Sequence, residues 1–254
     1  MAARPDDVIW LETSSYLPLI WRTPYSRSVV EFLARHAPSH RLLLQRDCIL
    51  EAAGYFSFED NWKYHPAVRI RNLLRRLSDE ELQTLGYPSA AVQLLIGGNI
   101  WPQGQYLNFV RHTGFLFADL LDGTLFDSPR RDLGLLAERI EERVSAFRRI
   151  FQEHAAAREV ALPTDGILPY WGRWYLPHLP APFKIEIVPD PRPYNMTADK
   201  LRDIFHYDCA VRSDPMPRMM FVANTGFQKN VKTSFADLPC PIVCAKTSTA
   251  EILG

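Results

Sequence analysis

Long hydrophobic runs are missing from this chain of 254 residues, and so is any excess of charge of one sign. No stretch approaches the roughly 18 apolar residues that a membrane-spanning helix needs, and the N-terminus has no apolar segment of signal-peptide length. We therefore expect a cytoplasmic protein with no membrane partner. Lysine plus arginine and aspartate plus glutamate each number 29. This balance disfavours a protein that coats nucleic acid by bulk charge, so RNA would have to meet a local basic patch.

Cysteine and glycine are scarce as well. The four cysteines form no CxxC pair, and Cys240 and Cys244 have the wrong spacing for a zinc knuckle, which argues against a disulfide framework and a zinc ribbon. The seven histidines show neither HxH nor HExxH spacing, so the sequence predicts no zinc site. Among the 12 glycines, those in GGNIWPQGQ lack both a P-loop lysine and dinucleotide spacing, so no nucleotide site is predicted.

Strand and helix patterns at both ends of the chain predict an α/β fold. VIWLETSS predicts a buried strand that ends at Glu12, and SRSVVEFLARHAPS predicts a helix capped by Ser28. A second strand at 42–44 leads into a helix that carries Glu51. Later we expect a helix that reaches Asp208, a strand in RMMFVANTG and a last strand in PCPIVCA. This order is typical of a parallel sheet.

The middle of the chain has a different pattern. Residues 66–160 show helical periodicity almost throughout, with a short helix capped by Ser78 and Glu81 and a long amphipathic helix after Ser128. Between residues 162 and 194 prolines and aromatic residues are dense, and we expect an ordered but irregular segment. The predicted organisation is an α/β domain formed by residues 7–60 and 196–254, with a mainly α-helical insertion at 66–195.

Acidic and amide residues lie next to the predicted strands and helices of the α/β domain. Glu12 ends the first strand, and Glu51 lies on the helix after the second. Asp208 ends a late helix, and Asn224 ends a late strand. Ligands bind beyond the carboxyl ends of parallel strands, so these residues are expected to meet there. Clustered carboxylates repel one another unless a cation lies among them, and oxygen ligands suit Mg²⁺ or Mn²⁺. Such a site activates water for attack on a phosphodiester.

The same segments resemble PIN domains, the metal-dependent ribonuclease fold of many toxin–antitoxin toxins. VIWLETSSYLPL is similar to the first motif of a subgroup that has Glu-Thr-Ser in place of the usual aspartate, and LLLQRDCILEAAGYF is similar to the second motif. IFHYDCAVRSDPMPRMMFVANTGFQKN is similar to the third and fourth motifs, with Asp208 and Asn224 on their polar positions. PCPIVCAKTSTAEIL is similar to the last strand.

This resemblance implies a three-layer PIN-like parallel sheet and a metal-dependent endoribonuclease that hydrolyses RNA. The catalytic residues it implies are Glu12, Glu51, Asp208 and Asn224, of which the first three bind Mg²⁺ or Mn²⁺. An antitoxin or a second copy of the chain is the implied protein partner. Because Glu12 and Asn224 stand where most members have aspartate, the alternative is a catalytically weak or inactive module that binds RNA or protein.

Simpler structural roles stay open for several of these residues. Glu12 is also compatible with the N-terminal cap of a helix or with a surface acid, and Asn224 with the left-handed turn after a strand. Asp47, Asp199 and Asp203 fit surface or capping positions, with Asp203 also fitting a spare acid of the site.

Candidate substrate-binding residues come from two regions. Thr13 and Ser14 follow the first acid and are placed to orient water or the phosphate. Arg71 and Arg75 belong to the basic run RIRNLLRR, which fits either a solvated helix face or a patch that guides RNA with nearby aromatic residues. A further hypothesis makes the helical middle the working domain and the α/β part its support.

Overall fold

The structure, a computed structural model, describes residues 7–20, 25–54, 66–84, 128–162, 182–189, 199–223 and 225–245. The chain divides into two compact units. The sheet unit comprises Met1–Ala52 and Phe151–Gly254, and the helical unit comprises Ala53–Ile150. The helical unit is smaller than the predicted insertion at 66–195, because two strands from that range join the sheet.

Six described strands form one sheet. They are β1 (Val8–Leu11), β2 (Arg41–Gln45), β3 (Glu159–Leu162), β4 (Phe183–Val188), β5 (Met219–Val222) and β6 (Ile242–Cys244). Their spatial order is β3-β4-β2-β1-β5-β6, and every neighbouring pair is parallel except β3 and β4. The prediction of an α/β fold is confirmed. The carboxyl ends of the five mutually parallel strands therefore lie along one edge of the sheet, which we call the carboxyl edge.

The prediction of an irregular segment between residues 162 and 194 is wrong for β4. Phe183, Ile185 and Ile187 are buried, while the residues between them are more exposed. This alternation has the period of two that a strand requires. The strand FKIEIV is short and follows a proline-rich stretch, so the surrounding composition obscured its pattern.

Eight helices occur within the described residues. They are α1 (Thr13–Ile20), α2 (Ser26–His36), α3 (Arg46–Gly54), α4 (Pro66–Arg76), α5 (Asp79–Thr84), α6 (Pro129–Ala156), α7 (Asp199–Val211) and α8 (Thr225–Lys232).

Of the two predicted capping boxes, one is observed. The backbone N–H of Ser78 donates to Oε2 of Glu81 over 2.7 Å, and the N–H of Glu81 donates to Oγ of Ser78 over 3.2 Å. The cap at Ser28 is wrong, because α2 begins two residues earlier and its N-cap Tyr25 makes no side-chain capping bond. Ser28 thus lies inside the first turn, where its backbone is already helical.

Helices cover both faces of the sheet. Trp10 of β1 and Met220 of β5 belong to a buried cluster with Tyr207 of α7 and Phe227 of α8. On the other face, Phe221 stacks on Phe32 of α2 with ring centroids 3.8 Å apart. Adjacent strand residues point to opposite faces, so Met220 and Phe221 pack against different helices. The sheet unit is thus a layer of strands between two layers of helices.

Within the helical unit, α6 presents one apolar stripe. Leu133, Leu136, Ile140, Val144 and Phe147 follow one another at steps of three or four, and all are buried. This confirms the predicted amphipathic helix, whose polar face carries the intervening charged residues.

Candidate metal centre

Glu12 links the end of β1 to the start of α1. Its Oε2 accepts hydrogen bonds from the backbone N–H of Ser14 over 2.8 Å and from Oγ of Ser14 over 2.6 Å. In return, the backbone N–H of Glu12 donates to Oγ of Ser15 over 3.0 Å. Glu12 therefore caps α1, because its carboxylate accepts one of the otherwise unpaired N–H groups of the first turn. Both side-chain hydrogen bonds end on Oε2, which leaves Oε1 to face other groups.

Glu51 approaches Glu12 from α3. Oγ1 of Thr13 donates to Oε2 of Glu51 over 2.5 Å, and Nε of Arg202 lies 3.3 Å from Oε1 of Glu51. The side chains of Glu51 and Arg202 are only 9% and 16% exposed. A carboxylate so poorly hydrated needs polar partners, and the hydroxyl and the guanidinium supply them. Thr13 and Arg202 thereby fix the position of Glu51.

His206 enters the site from α7 and is fully buried. Its Nδ1 lies 3.7 Å from Sγ of Cys48 on α3. Burial, with a smaller contribution from the charge of Arg202, lowers the pKa of His206 to about 4. The imidazole is therefore neutral at pH 7, which is the form that binds metal ions.

Glu12, Glu51 and His206 form a cluster in which one ligand atom of each residue lies within 4.8 Å of the other two. Two ligands on opposite sides of a Mg²⁺ or Mn²⁺ ion lie about 4.2 Å apart, given metal–ligand distances of about 2.1 Å. Only one pair of the three ligands can lie opposite each other, so the side chains would move closer together to hold one ion. This cluster could hold a metal ion, and we call it the metal cluster.

The electrostatics of the metal cluster favour a positive charge. The pKa of Glu12 is raised to about 8, first by burial and then by the charges of Glu51 and Asp203, against the opposing effect of its hydrogen bonds from Ser14. Burying two adjacent carboxylates in ionised form is costly unless a proton or a cation lies between them. Asp203 lies one turn before His206 on α7, and its Oδ2 accepts a hydrogen bond from Nδ2 of Asn230 over 2.6 Å.

The structure places Asp208 outside the metal cluster. Its Oδ1 accepts a hydrogen bond from Nε of Arg212 over 2.8 Å, and it lines a cavity of about 220 Å³ together with Trp10, Gln45 and Phe205. Residues 206 and 208 of a helix are separated by about 200° around its axis, so their side chains leave α7 in nearly opposite directions. The structure brings Glu12 and Glu51 together, as the sequence predicts, but not Asp208 with them.

Of the other predicted site residues, some lie beside the metal cluster and some lie elsewhere. Thr13 and Ser14 contact Glu51 and Glu12 directly, so their hydroxyls hold the acids. Arg71 lies on α4 in the helical unit, where its Nη2 is 2.5 Å from Oε2 of Glu141. Arg75 lies on the same helix and is exposed. Asn224 lies outside the described residues.

His206 is not among the ligands that the sequence predicts. Its partners in the metal cluster come from β1 and α3, far away in the sequence, so no spacing between paired histidines marks it. The usable signal was the spacing of Asp203 and His206, because residues three apart share one face of a helix. Asp47, expected at the surface or as a cap, is instead buried in the first turn of α3.

Within the described residues, no helix combines the length and the apolar character that a bilayer span requires. Comparisons of the chain with protein-family models, with curated proteins and with solved structures give no match in any of the three.

Proposed function

We propose that this protein is a metal-dependent endoribonuclease of the PIN-like type, with Glu12, Glu51 and His206 as ligands of a divalent cation such as Mg²⁺ or Mn²⁺. The observation that carries the proposal is the convergence of these three ligand atoms within 4.8 Å beside the end of β1. In open parallel sheets this carboxyl edge is where ligands bind. The Glu12-Thr13-Ser14 string adds the resemblance to PIN domains, which is the reason for preferring RNA as the substrate.

The residues of the chain have distinct roles in this proposal. A bound divalent ion supplies an activated water and stabilises the negative charge that develops on the phosphodiester. Ser14 orients the carboxylate of Glu12, and Thr13 orients that of Glu51. Asp203 adds negative charge near Glu12 and so increases the local attraction for a cation.

Several sequence-based assignments stay predictions within this proposal. They are the catalytic roles of Asp208 and Asn224, substrate binding by Arg71 and Arg75, a cytoplasmic location, and an antitoxin or a second copy of the chain as protein partner.

Cleavage of a mixed RNA pool by the full chain, with Mn²⁺ or Mg²⁺ added or with a chelator, tests the proposal. We expect cleavage only with a divalent ion, and a loss of at least 100-fold in Glu12→Gln and in Glu51→Gln. Glu31→Gln is the matched control, because it removes an exposed acid of α2 that pairs with Arg27 outside the metal cluster. Absence of metal-dependent cleavage in the wild type, or full cleavage by Glu12→Gln, would overturn the proposal.

A non-catalytic module that binds RNA or protein is the second candidate, and one observation favours it. Glu51 already has a cation beside it in Arg202, and Glu12 is already hydrogen-bonded by Ser14. A polar network satisfied in this way has a structural role without any metal ion. Measurable binding of RNA that is unaffected by chelator and not followed by cleavage would support this candidate.

A further inference from the structure

We infer that the metal cluster takes a transition-metal ion and discriminates against Mg²⁺, because one of its three ligands is the imidazole of His206. This inference rests on the proposed function only in requiring that the cluster bind a divalent ion. Carboxylate ligands alone do not distinguish Mg²⁺ from Mn²⁺. The histidine ligand narrows the choice to transition-metal ions.

The chemistry of the ligands gives the reason. Mg²⁺ prefers oxygen ligands in nearly ideal octahedral geometry and gives up its water reluctantly, whereas imidazole nitrogen suits transition metals such as Fe²⁺ and Zn²⁺. Mn²⁺ also binds oxygen ligands well, but as a transition-metal ion it accepts an imidazole ligand more readily than Mg²⁺ does. A set of two carboxylates and one imidazole resembles the mixed nitrogen and oxygen sites of these ions. Replacing one oxygen ligand by nitrogen therefore weakens the binding of Mg²⁺ more than it weakens the binding of a transition metal.

The position of His206 is well defined. The ring is fully buried, and its Nδ1 lies 3.7 Å from Sγ of Cys48. Metal-ligating histidines usually have their second ring nitrogen engaged by a neighbouring group, which fixes the tautomer and the orientation. With Nδ1 beside the thiol, Nε2 is the nitrogen assigned to the ion.

Glu12 provides the independent second observation. Its side chain is more than nine-tenths buried, yet both of its side-chain hydrogen bonds end on Oε2. Within the described part of the chain, Oε1 is thus the oxygen that accepts no hydrogen bond. A carboxylate oxygen in this position is suited to a cation, and the imidazole of His206 and the second acid lie within reach of the same ion.

Calorimetric titration of the metal-free full chain with Mn²⁺ and with Mg²⁺ tests the inference, together with electron spin-echo spectroscopy of the bound Mn²⁺. We expect Mn²⁺ to bind at least tenfold more tightly than Mg²⁺, and a ¹⁴N modulation that reports direct nitrogen coordination. In His206→Asn, we expect the modulation to disappear and the preference for Mn²⁺ to fall severalfold. His154→Asn is the control, since His154 is a buried histidine on α6 with its Nδ1 held by Tyr16.

The outcomes separate this inference from the proposed function. Equal affinities for the two ions, or bound Mn²⁺ without ¹⁴N modulation, would overturn the inference and leave a metal-dependent nuclease standing. Failure of both ions to bind would overturn the inference and the metal-dependent function together. The measurements on the wild type decide the matter even when His206→Asn does not fold.

Discussion

The hydroxyl of Ser14 donates a hydrogen bond to Oε2 of Glu12 over 2.6 Å and accepts one from the backbone N–H of Ala223 over 2.9 Å. Ala223 directly follows β5, and Glu12 directly follows β1. One short side chain therefore connects the ends of two neighbouring parallel strands and fixes the carboxylate at the carboxyl edge of the sheet.

Replacing Ser14 by alanine is expected to weaken Mn²⁺ binding by about 10- to 100-fold, the usual effect of losing a group that orients a metal ligand. Because the N–H of Ala223 also loses its acceptor, we expect the free energy of unfolding to fall by about 1–3 kcal/mol. Calorimetry and urea denaturation measure the two effects. Ser39→Ala, which removes an exposed hydroxyl outside the metal cluster, serves as the control. Wild-type affinity in Ser14→Ala would contradict this role.

Replacing Glu12 by glutamine is expected to abolish stabilisation by Mn²⁺ while leaving the metal-free protein within about 1 kcal/mol of the wild type. The pKa of Glu12 is raised to about 8, so the metal-free wild type holds a neutral side chain there at pH 7, and glutamine resembles it in charge and shape. Thermal denaturation with Mn²⁺ and with chelator measures both effects. Wild-type protein at 100-fold excess over the dissociation constant should gain about 2.7 kcal/mol. A comparable gain in Glu12→Gln would rule out Glu12 as a ligand, and Asp208→Asn should retain the full gain.

His154 is expected to make the protein less stable in mild acid. Its Nδ1 lies 2.7 Å from the hydroxyl of Tyr16, and burial lowers its pKa to about 4, from 6.5 for an exposed histidine. Between these values the unfolded chain binds a proton that the folded chain does not. The contribution of His154 is therefore fully present above pH 6.5 and is lost as the pH falls towards 4.

Urea denaturation at pH 7, 5.5 and 4.5 measures this effect by comparing the wild type with His154→Gln. The difference in unfolding free energy between the two proteins should change by on the order of 2 kcal/mol from pH 7 to pH 4.5. Tyr16→Phe should lower the free energy of unfolding by about 1 kcal/mol and leave its dependence on pH the same as in the wild type. Parallel pH profiles for the wild type and His154→Gln would show that His154 does not titrate in this range.

Arg202 is expected to compete with a metal ion for Glu51. Its Nε lies 3.3 Å from Oε1 of Glu51, and two cations beside one poorly hydrated carboxylate repel each other. Arg202→Gln should therefore bind Mn²⁺ about tenfold more tightly and be less stable without metal. The control is Arg212→Gln, since Arg212 directly follows α7 and pairs with Asp208 of that helix. Unchanged or weaker Mn²⁺ binding in Arg202→Gln would show that the two cations do not compete.

The sequence predicts one part of the metal cluster and misses another for a physical reason. Glu12 follows a strand that is recognisable as a short apolar run, and Glu51 follows the next such run, so local patterns are sufficient to place both acids near the carboxyl edge. The side of α7 that faces this edge depends on packing against distant parts of the chain. The sequence therefore suggested Asp208, whereas the structure directs His206 and Asp203 towards Glu12.

The strands of the sheet also divide into those that a local sequence pattern predicts and those that depend on distant contacts. Four strands were predicted because each is a continuous apolar run next to a recognisable helix or turn. β4 alternates buried and exposed residues over only six positions, and its pairing with β2 involves residues more than a hundred positions away. Its place in the sheet thus depends on contacts that no local window contains.

The dual position of Glu12, as the cap of α1 and as a member of the metal cluster, ties the order of that helix to the occupancy of the site. An ion drawn to Oε1 would hold the same carboxylate whose Oε2 secures the N–H and the hydroxyl of Ser14. Chelation would then loosen the first turn of α1 as well as empty the site, and hydrogen exchange at Ser14 would speed up. In this arrangement a bound inorganic ion would stabilise the fold of the polypeptide around it.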